Sequence, residues 1–194
     1  SMRVITGRFK GVPLTTPRSQ TRPTTDRTKE AIFSRLDAEG VLADARVLDL
    51  FGGTGALGIE ALSRGARELV EVEASEPAAK LIAQTLTLLR NHAAWEADMS
   101  AHIIRAKAER YAAKAKITQP FDVVFIDPPY AFSTADCEQL LNDLTARNMV
   151  ARTGTIILER STRSDEPKAP ANWAITDRRD YGETAVYTLQ ALSD

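Results

Sequence analysis

The sequence predicts an α/β fold: a Rossmann-like, mostly parallel, doubly wound sheet with a short N-terminal β arm and a C-terminal antiparallel hairpin. Three observations predict it. Short apolar runs alternate with helical stretches from residue 46 to residue 158, the rhythm of strands joined by crossover helices. The runs are continuous rather than alternating, as suits strands buried on both faces of a parallel sheet. A glycine-rich turn stands where the first run passes into a helix.

Each element follows in order. Residues 1–24 read as a basic arm, with Lys10-Gly11 as a hairpin turn and a stretch from Thr15 to Pro23 punctuated by proline. A single domain, 25–194, comes next. Its first helix starts at Thr25 or Asp26, either a good N-cap, and runs through Ala31, Ile32, Phe33 and Leu36. Strands are expected at Val47–Phe51, Leu69–Glu73, His102–Ile104, Phe121–Ile126 and Thr155–Leu158, and helices around 56–64, 76–92, 107–115 and 134–147. Trp173–Tyr181 and Ala185–Leu192, joined by Gly182-Glu183-Thr184, read as a hairpin added to one edge of the sheet.

With 194 residues, 43% of them hydrophobic and 26% charged, the chain can bury a sizeable core. No apolar run approaches the roughly 18–20 residues of a membrane span, and the N-terminus has no signal-peptide core, so a cytoplasmic location is expected. One cysteine, Cys137, excludes an internal disulfide, and His92 and His102 supply no zinc-site cluster. Any cofactor is expected to be organic, with no metal. Cys137 in a helix reads as packing, His92 as a helix-end or surface residue, and Trp95 and Trp173 as core or edge packing. The net charge of −1 divides unevenly, +6 over residues 1–36 and −7 over the remainder. Such a local basic patch suits phosphate contacts, although a solvated terminus has the same composition.

The turn Asp49-Leu50-Phe51-Gly52-Gly53-Thr54-Gly55-Ala56-Leu57-Gly58 contains GxGxxG as Gly53, Gly55 and Gly58. Glycine permits φ > 0 there and lets the main chain approach a ligand closely. The same spacing also serves plain structural turns, but here it follows a strand and opens a helix, as the binding mechanism requires. An acid at the end of the next strand would accept hydrogen bonds from ribose hydroxyls. Ser75 with Glu76-Pro77 reads as an N-cap and first helical turn, which puts Glu73 at the strand's carboxyl end and Glu71 in mid-strand. The candidate cofactor shell is Asp49, Phe51, Gly53, Thr54, Gly55 and Glu73. These features admit either NAD(P) or S-adenosylmethionine (SAM). Asp49 favours SAM, because a carboxylate suits the ammonium of a methionine moiety and is unhelpful beside a pyrophosphate.

The fourth strand ends in Asp127-Pro128-Pro129-Tyr130. Two prolines fix a rigid extended turn with no N–H to donate. Asp127 and the Pro128 carbonyl can then accept the N–H groups of an exocyclic amine while Tyr130 stacks on the base. Holding both protons leaves the nitrogen lone pair free for an in-line displacement at the SAM methyl. The tetrad alone does not separate adenine from guanine.

This tetrad, after an Asp-x-Phe-x-Gly-x-Gly loop, resembles the exocyclic-amino methyltransferases. Arg22-Pro23-Thr24-Thr25-Asp26-Arg27, with Glu30 three residues on, resembles the N-terminal signature of the RsmD-type 16S ribosomal RNA guanine-N2 methyltransferases. The likeness continues through Gly55-Ala56-Leu57-Gly58-Ile59-Glu60-Ala61-Leu62-Ser63-Arg64-Gly65-Ala66 and reaches Pro170-Ala171-Asn172-Trp173. It implies a class I SAM-dependent enzyme that methylates the N2 amine of one guanine in 16S rRNA and releases S-adenosylhomocysteine (SAH). It also agrees on Glu73 as the ribose acid. The chain departs from the pattern at Ser75, where the family often has Asp, and in Ala106-Lys107-Ala108-Glu109, which lacks the Asp of many methyltransferases and leaves Ala108 as the candidate adenine contact. Arg3, Arg8, Lys10, Arg18, Arg22 and Arg27 are the expected phosphate-facing residues, and the resemblance places Arg22 and Thr24 beside the catalytic loop. The expected partner is 16S rRNA, free or in a partly assembled small subunit, bound by a monomer with no membrane involved.

Four other readings compete. An adenine-N6 methyltransferase of RNA or DNA shares the tetrad, but 194 residues leave little room for a DNA-reading domain. A glutamine methyltransferase would carry Asn in place of Asp127. A non-catalytic RNA-binding assembly module would not need Gly53, Gly55, Asp127 and Tyr130 intact. An NAD(P) oxidoreductase would share the glycine turn alone.

Overall fold

The computed structural model describes residues 2–15 and 25–193. Arg18, Arg22 and Thr24 therefore lie outside the described residues. The elements are α1 (Asp26–Glu39), β1 (Arg46–Leu50), α2 (Ala56–Ser63), β2 (Glu68–Glu73), α3 (Glu76–Arg90), β3 (Ser100–Arg105), α4 (Ala108–Lys114), β4 (Phe121–Ile126), α5 (Thr134–Ala146), β5 (Val150–Ser161), β6 (Trp173–Tyr181) and β7 (Thr184–Ala191). They form one seven-stranded sheet in the order β3-β2-β1-β4-β5-β7-β6. β1 to β5 are parallel, and β7 enters antiparallel between β5 and β6.

Caps set the helix starts as the residues predict. The Thr25 side chain accepts from Thr28 N–H at the head of α1, and Ser75 accepts from Ala78 N–H at the head of α3. α1, α2 and α3 cover one face of the sheet through Ile32, Phe33, Leu36, Ile59, Leu62, Ile82 and Leu86. α4 and α5 cover the other through Tyr111, Ala112, Cys137, Leu140, Leu141 and Leu144. Strand order reverses between β1 and β4, so a crevice opens at the carboxyl ends of these two strands, the place where ligands bind in open α/β sheets. Both motifs flank that crevice.

The described part of the arm is anchored in the core. Val4, Phe9 and Leu14 are buried, and the Gly11 N–H bonds back to Val4 O at 2.9 Å to close a hairpin. Gly7 has φ +96°, and a Cβ there would collide with the Ser63 carbonyl, so only glycine fits. Glu60 on α2 accepts from the backbone N–H groups of Ile5 at 2.8 Å and Thr6 at 3.1 Å. The same carboxylate pairs with Lys29 of α1 at 3.4 Å, and both side chains are fully buried.

β3 (Ser100–Arg105) and β5 (Val150–Ser161) are both longer than their apolar runs, His102–Ile104 and Thr155–Leu158. β5 begins at Val150 rather than Thr155, because its first residues pair irregularly with β4, with a register shift between Phe121 and Val123. Arg152 and Gly154 in that segment interrupt the apolar pattern and hide it from the sequence. Cys137 is fully buried, and burial pushes its thiol up to about 11, as fits a packing residue. His92 lies just past the C-cap of α3, edge-on to Phe9 with ring centroids 5.3 Å apart. Trp95 and Trp173 pack partly buried against the two cores.

Candidate active site

The glycine turn bends through three left-handed residues, Phe51 (φ 59°), Gly53 (φ 62°) and Gly55 (φ 80°), the last being the N-cap of α2. Phe51 adopts this costly conformation while its ring packs on Phe132 at 5.1 Å, edge to face, which ties the turn after β1 to the loop after β4. Thr54 is buried and its hydroxyl accepts from Ala56 N–H at 3.2 Å.

Glu73 stands half-buried at the end of β2. Its Oε1 accepts from Gly53 N–H at 2.8 Å and its Oε2 from Ser75 N–H at 2.7 Å. A carboxylate offers about four lone-pair sites, so two acceptor sites remain for ribose hydroxyls. Ser75, in place of the expected Asp, keeps the cap and also supplies this backbone donor. Asp49 lies beneath the turn, 2% exposed, with Oδ2 accepting from Gly58 N–H at 3.0 Å. Desolvation pushes its carboxyl up to about 7 despite hydrogen bonds from Glu71 and Gly58. Ala108 is the first residue of α4 and is buried in the second core. These residues fit SAM. A Cβ at Gly52 would lie 2.8 Å from Glu71 Oε1, and one at Gly55, where φ is +80°, 3.2 Å from Oε2, so glycine lets the turn lie close over the Glu71 carboxyl. Glu73 would hold the ribose, and the turn above Asp49 would hold the methionine end.

Across the crevice, Asp127 and Pro128 are half-buried and Pro129 is exposed. Tyr130 is 62% exposed, and an exposed ring suits stacking on an incoming base. The tetrad's loop is held from behind. Pro129 O accepts from Phe132 N–H at 2.9 Å, and Phe132 O accepts from the guanidinium of buried Arg160 at 2.9 Å. A shallow, open depression lies here, lined by Asp127, Pro128, Pro129, Tyr130, Glu159, Arg160, Ser161, Ser164 and Thr184.

The β5 and β7 contributors to that depression were not legible as site residues. Ile126 pairs with Leu158, so Asp127 and Glu159 occupy the next positions along two adjacent parallel strands. Phe125 and Ile157, two residues earlier on each strand, lie in the same core cluster. Asp127 and Glu159 therefore share a face. The only signal in the sequence was a Glu-Arg pair closing an apolar run.

Of the expected phosphate-facing cations, Arg3 donates to Gly11 O at 2.9 Å, and Arg8 pairs with Glu96 and is 19% exposed. Lys10 and Arg27 are exposed. Arg8 is thus committed to an internal ion pair, a use its place in a basic stretch did not reveal.

Fold and site together define a class I SAM-dependent methyltransferase. The family described as Conserved hypothetical protein 95 matches residues 2–190, and the chain belongs to it; this is the RsmD family that the N-terminal signature resembles. Ribosomal RNA small subunit methyltransferase D of Escherichia coli (strain K12) is 33% identical over 190 residues, 97% of this chain and 89% of the relative. Putative rRNA methyltransferase YlbH of Bacillus subtilis is 36% identical over 95% of this chain and 96% of its own length. A solved structure, the putative methyltransferase yhhF from Escherichia coli, superposes with a TM-score of 0.83 at 30% identity, covering 100% of this chain and 99% of that one. A SAM-bound magnesium protoporphyrin IX methyltransferase from Synechocystis, 15% identical with a TM-score of 0.62 over 86% of this chain and 79% of that one, shares the fold alone.

Proposed function

We propose that the protein transfers the SAM methyl group to the exocyclic N2 amine of one guanine in the RNA of the small ribosomal subunit. The Escherichia coli relative named for methylation of small-subunit rRNA, and the Bacillus subtilis relative named for rRNA methylation, support the RNA class. The neighbouring carboxylates Asp127 and Glu159 carry the choice of base. Both accept and, when ionised, neither donates. Guanine presents two adjacent donors along its edge, N1–H and the N2 amine. Adenine presents its amine beside a bare N1, an acceptor that would face a carboxylate.

SAM, when bound, supplies a methyl group on a positively charged sulfur. The protein supplies position and proton acceptance. Tyr130 stacks on a base that has left its helix, Glu159 accepts from N1–H, and Asp127 with the Pro128 carbonyl accepts from the amine. Asp127 would also take the proton the nitrogen sheds once it is methylated. Lys10, Arg27 and Arg3 form the phosphate-facing surface, with Arg18 and Arg22 assigned to it on sequence grounds.

The test is transfer of labelled methyl from SAM to small-subunit RNA lacking the modification, followed by digestion to nucleosides and mass spectrometry. Labelled N2-methylguanosine from one site is expected. Labelled N6-methyladenosine would move the assignment to adenine, and the absence of any labelled nucleoside would overturn it.

A further inference from the structure

Beneath the glycine turn lies a second carboxyl group that cofactor contact alone does not explain. Asp49 and Glu71 are register partners on β1 and β2, so their side chains stand next to each other on the face covered by α2. Glu71 is fully buried. A Cβ added at Gly52 would lie 2.8 Å from its Oε1, and one at Gly58 would lie 2.5 Å from its Oε2. The carboxyl thus fills the hollow that the glycines leave under the turn.

Neither oxygen of Glu71 receives a hydrogen bond from any N–H or O–H that the described residues fix in place. The charged groups acting on the pair are themselves acids: Glu73 on the same strand and Asp127 at the end of β4. α2 offers the Gly58 N–H, which goes to Asp49, and apolar Ile59; α3 offers Ile82; β3 places Ile103 beside Glu71 in register. The acid on α2, Glu60, is occupied by Lys29 and Arg64. Two buried carboxyls in contact, with no cation from the described residues between them, can hydrogen-bond only if one carries a proton.

We propose that Glu71 is a positioning residue of the cofactor site, sharing one proton with Asp49 beneath the glycine turn, and that binding of SAM expels this proton whereas binding of SAH leaves it in place. SAM carries an ammonium, a sulfonium and a carboxylate, a net charge of one; SAH, having lost the sulfonium charge, is neutral overall. The proton belongs to the pair as a unit. A cation above the turn favours the doubly ionised pair, and removal of that charge by methyl transfer favours the return of the proton. The pair thereby favours substrate cofactor over spent cofactor, increasingly so as pH rises through its titration. Burial pushes Asp49 up to about 7 and Glu71 well above its ordinary value, which keeps the proton in place near neutrality.

Calorimetric titration of the whole chain with SAM and with SAH, in buffers of different ionisation enthalpy near pH 7, reads the proton directly. About half a proton or more should leave per SAM bound, and little or none per SAH. Glu71→Gln keeps the shape and can donate an amide N–H to Asp49, so this variant should bind SAM without the release. Equal proton release by SAM and SAH in the wild type, or undiminished release in Glu71→Gln, would overturn the proposal. Should the variant fail to fold, the infrared difference spectrum of the wild type decides: SAM should remove a protonated-carboxyl carbonyl band, and an unchanged band would sink the shared proton. Absence of SAM binding would instead overturn the cofactor assignment, a separate outcome.

Discussion

Glu73 Oε1 accepts a hydrogen bond from the Gly53 N–H at 2.8 Å, joining the end of the second strand to the turn after the first. Two chain segments 20 residues apart are thereby fixed before any ligand arrives. The proposed ribose acceptor and the turn proposed to hold the methionine end are accordingly tied together.

From this follows the cofactor prediction. Glu73→Ala removes both the proposed ribose acceptor and the tether of the turn, and SAM affinity should fall by about 1–3 kcal/mol, the scale of hydrogen bonds to a charged group. Glu73→Gln retains one acceptor oxygen and should fall between. Calorimetry checks both; an Ala variant with wild-type affinity would remove Glu73 from the site.

Tyr130 predicts a contrast between two substitutions. Tyr130→Phe keeps the stacking face and should have a mild effect on methyl transfer. Tyr130→Ala should lose about 1–3 kcal/mol of RNA binding, the scale of base–aromatic stacking. Steady-state kinetics with small-subunit RNA distinguishes them, and a Phe variant as impaired as the Ala variant would transfer the role to the hydroxyl.

The arm's anchor is a stability prediction. Glu60→Ala leaves Lys29 without its carboxylate partner, fully buried, and also frees the Ile5 and Thr6 N–H groups. Breaking one side of such a pair should cost about 3–5 kcal/mol in denaturant unfolding. A loss below about 1 kcal/mol would show that the arm is not held through this contact.

The buried acid pair makes the stability of the cofactor-free protein depend on pH. Its carboxyls titrate higher folded than unfolded, so the stability they confer is full below their ordinary values and is lost as pH rises through the folded ones. The melting temperature should therefore fall between about pH 5 and about pH 8, and Glu71→Gln should flatten that fall. A wild-type melting temperature that rises across this window, with no difference in the variant, would contradict the protonated pair.

What was legible in the sequence was local. The glycine turn, the cap at Ser75, the acid at Glu73 and the Asp127-Pro128-Pro129-Tyr130 tetrad each declare themselves within a few residues, because turn geometry and strand ends are set by neighbours along the chain. Glu159 declares itself only through the register of β5 with the strand that ends just before Asp127, a relationship between positions more than thirty residues apart. Glu71 was visible as a charge in an apolar run, but the burial that gives it meaning comes from α2 folding over it. Val4, Phe9 and Leu14 are too sparse to announce that a basic arm belongs to the core.

The central claim is that Asp127 acts on the acceptor amine and not on the cofactor. Single-turnover methyl transfer to small-subunit RNA and calorimetric SAM affinity, measured side by side for the wild type and Asp127→Ala, test it most directly. The rate should fall about a hundredfold or more, the scale of losing a group that acts on charge in the transition state, while the SAM dissociation constant stays within about twofold. Wild-type turnover in the variant, or a loss of SAM binding as large as the loss of rate, would contradict it.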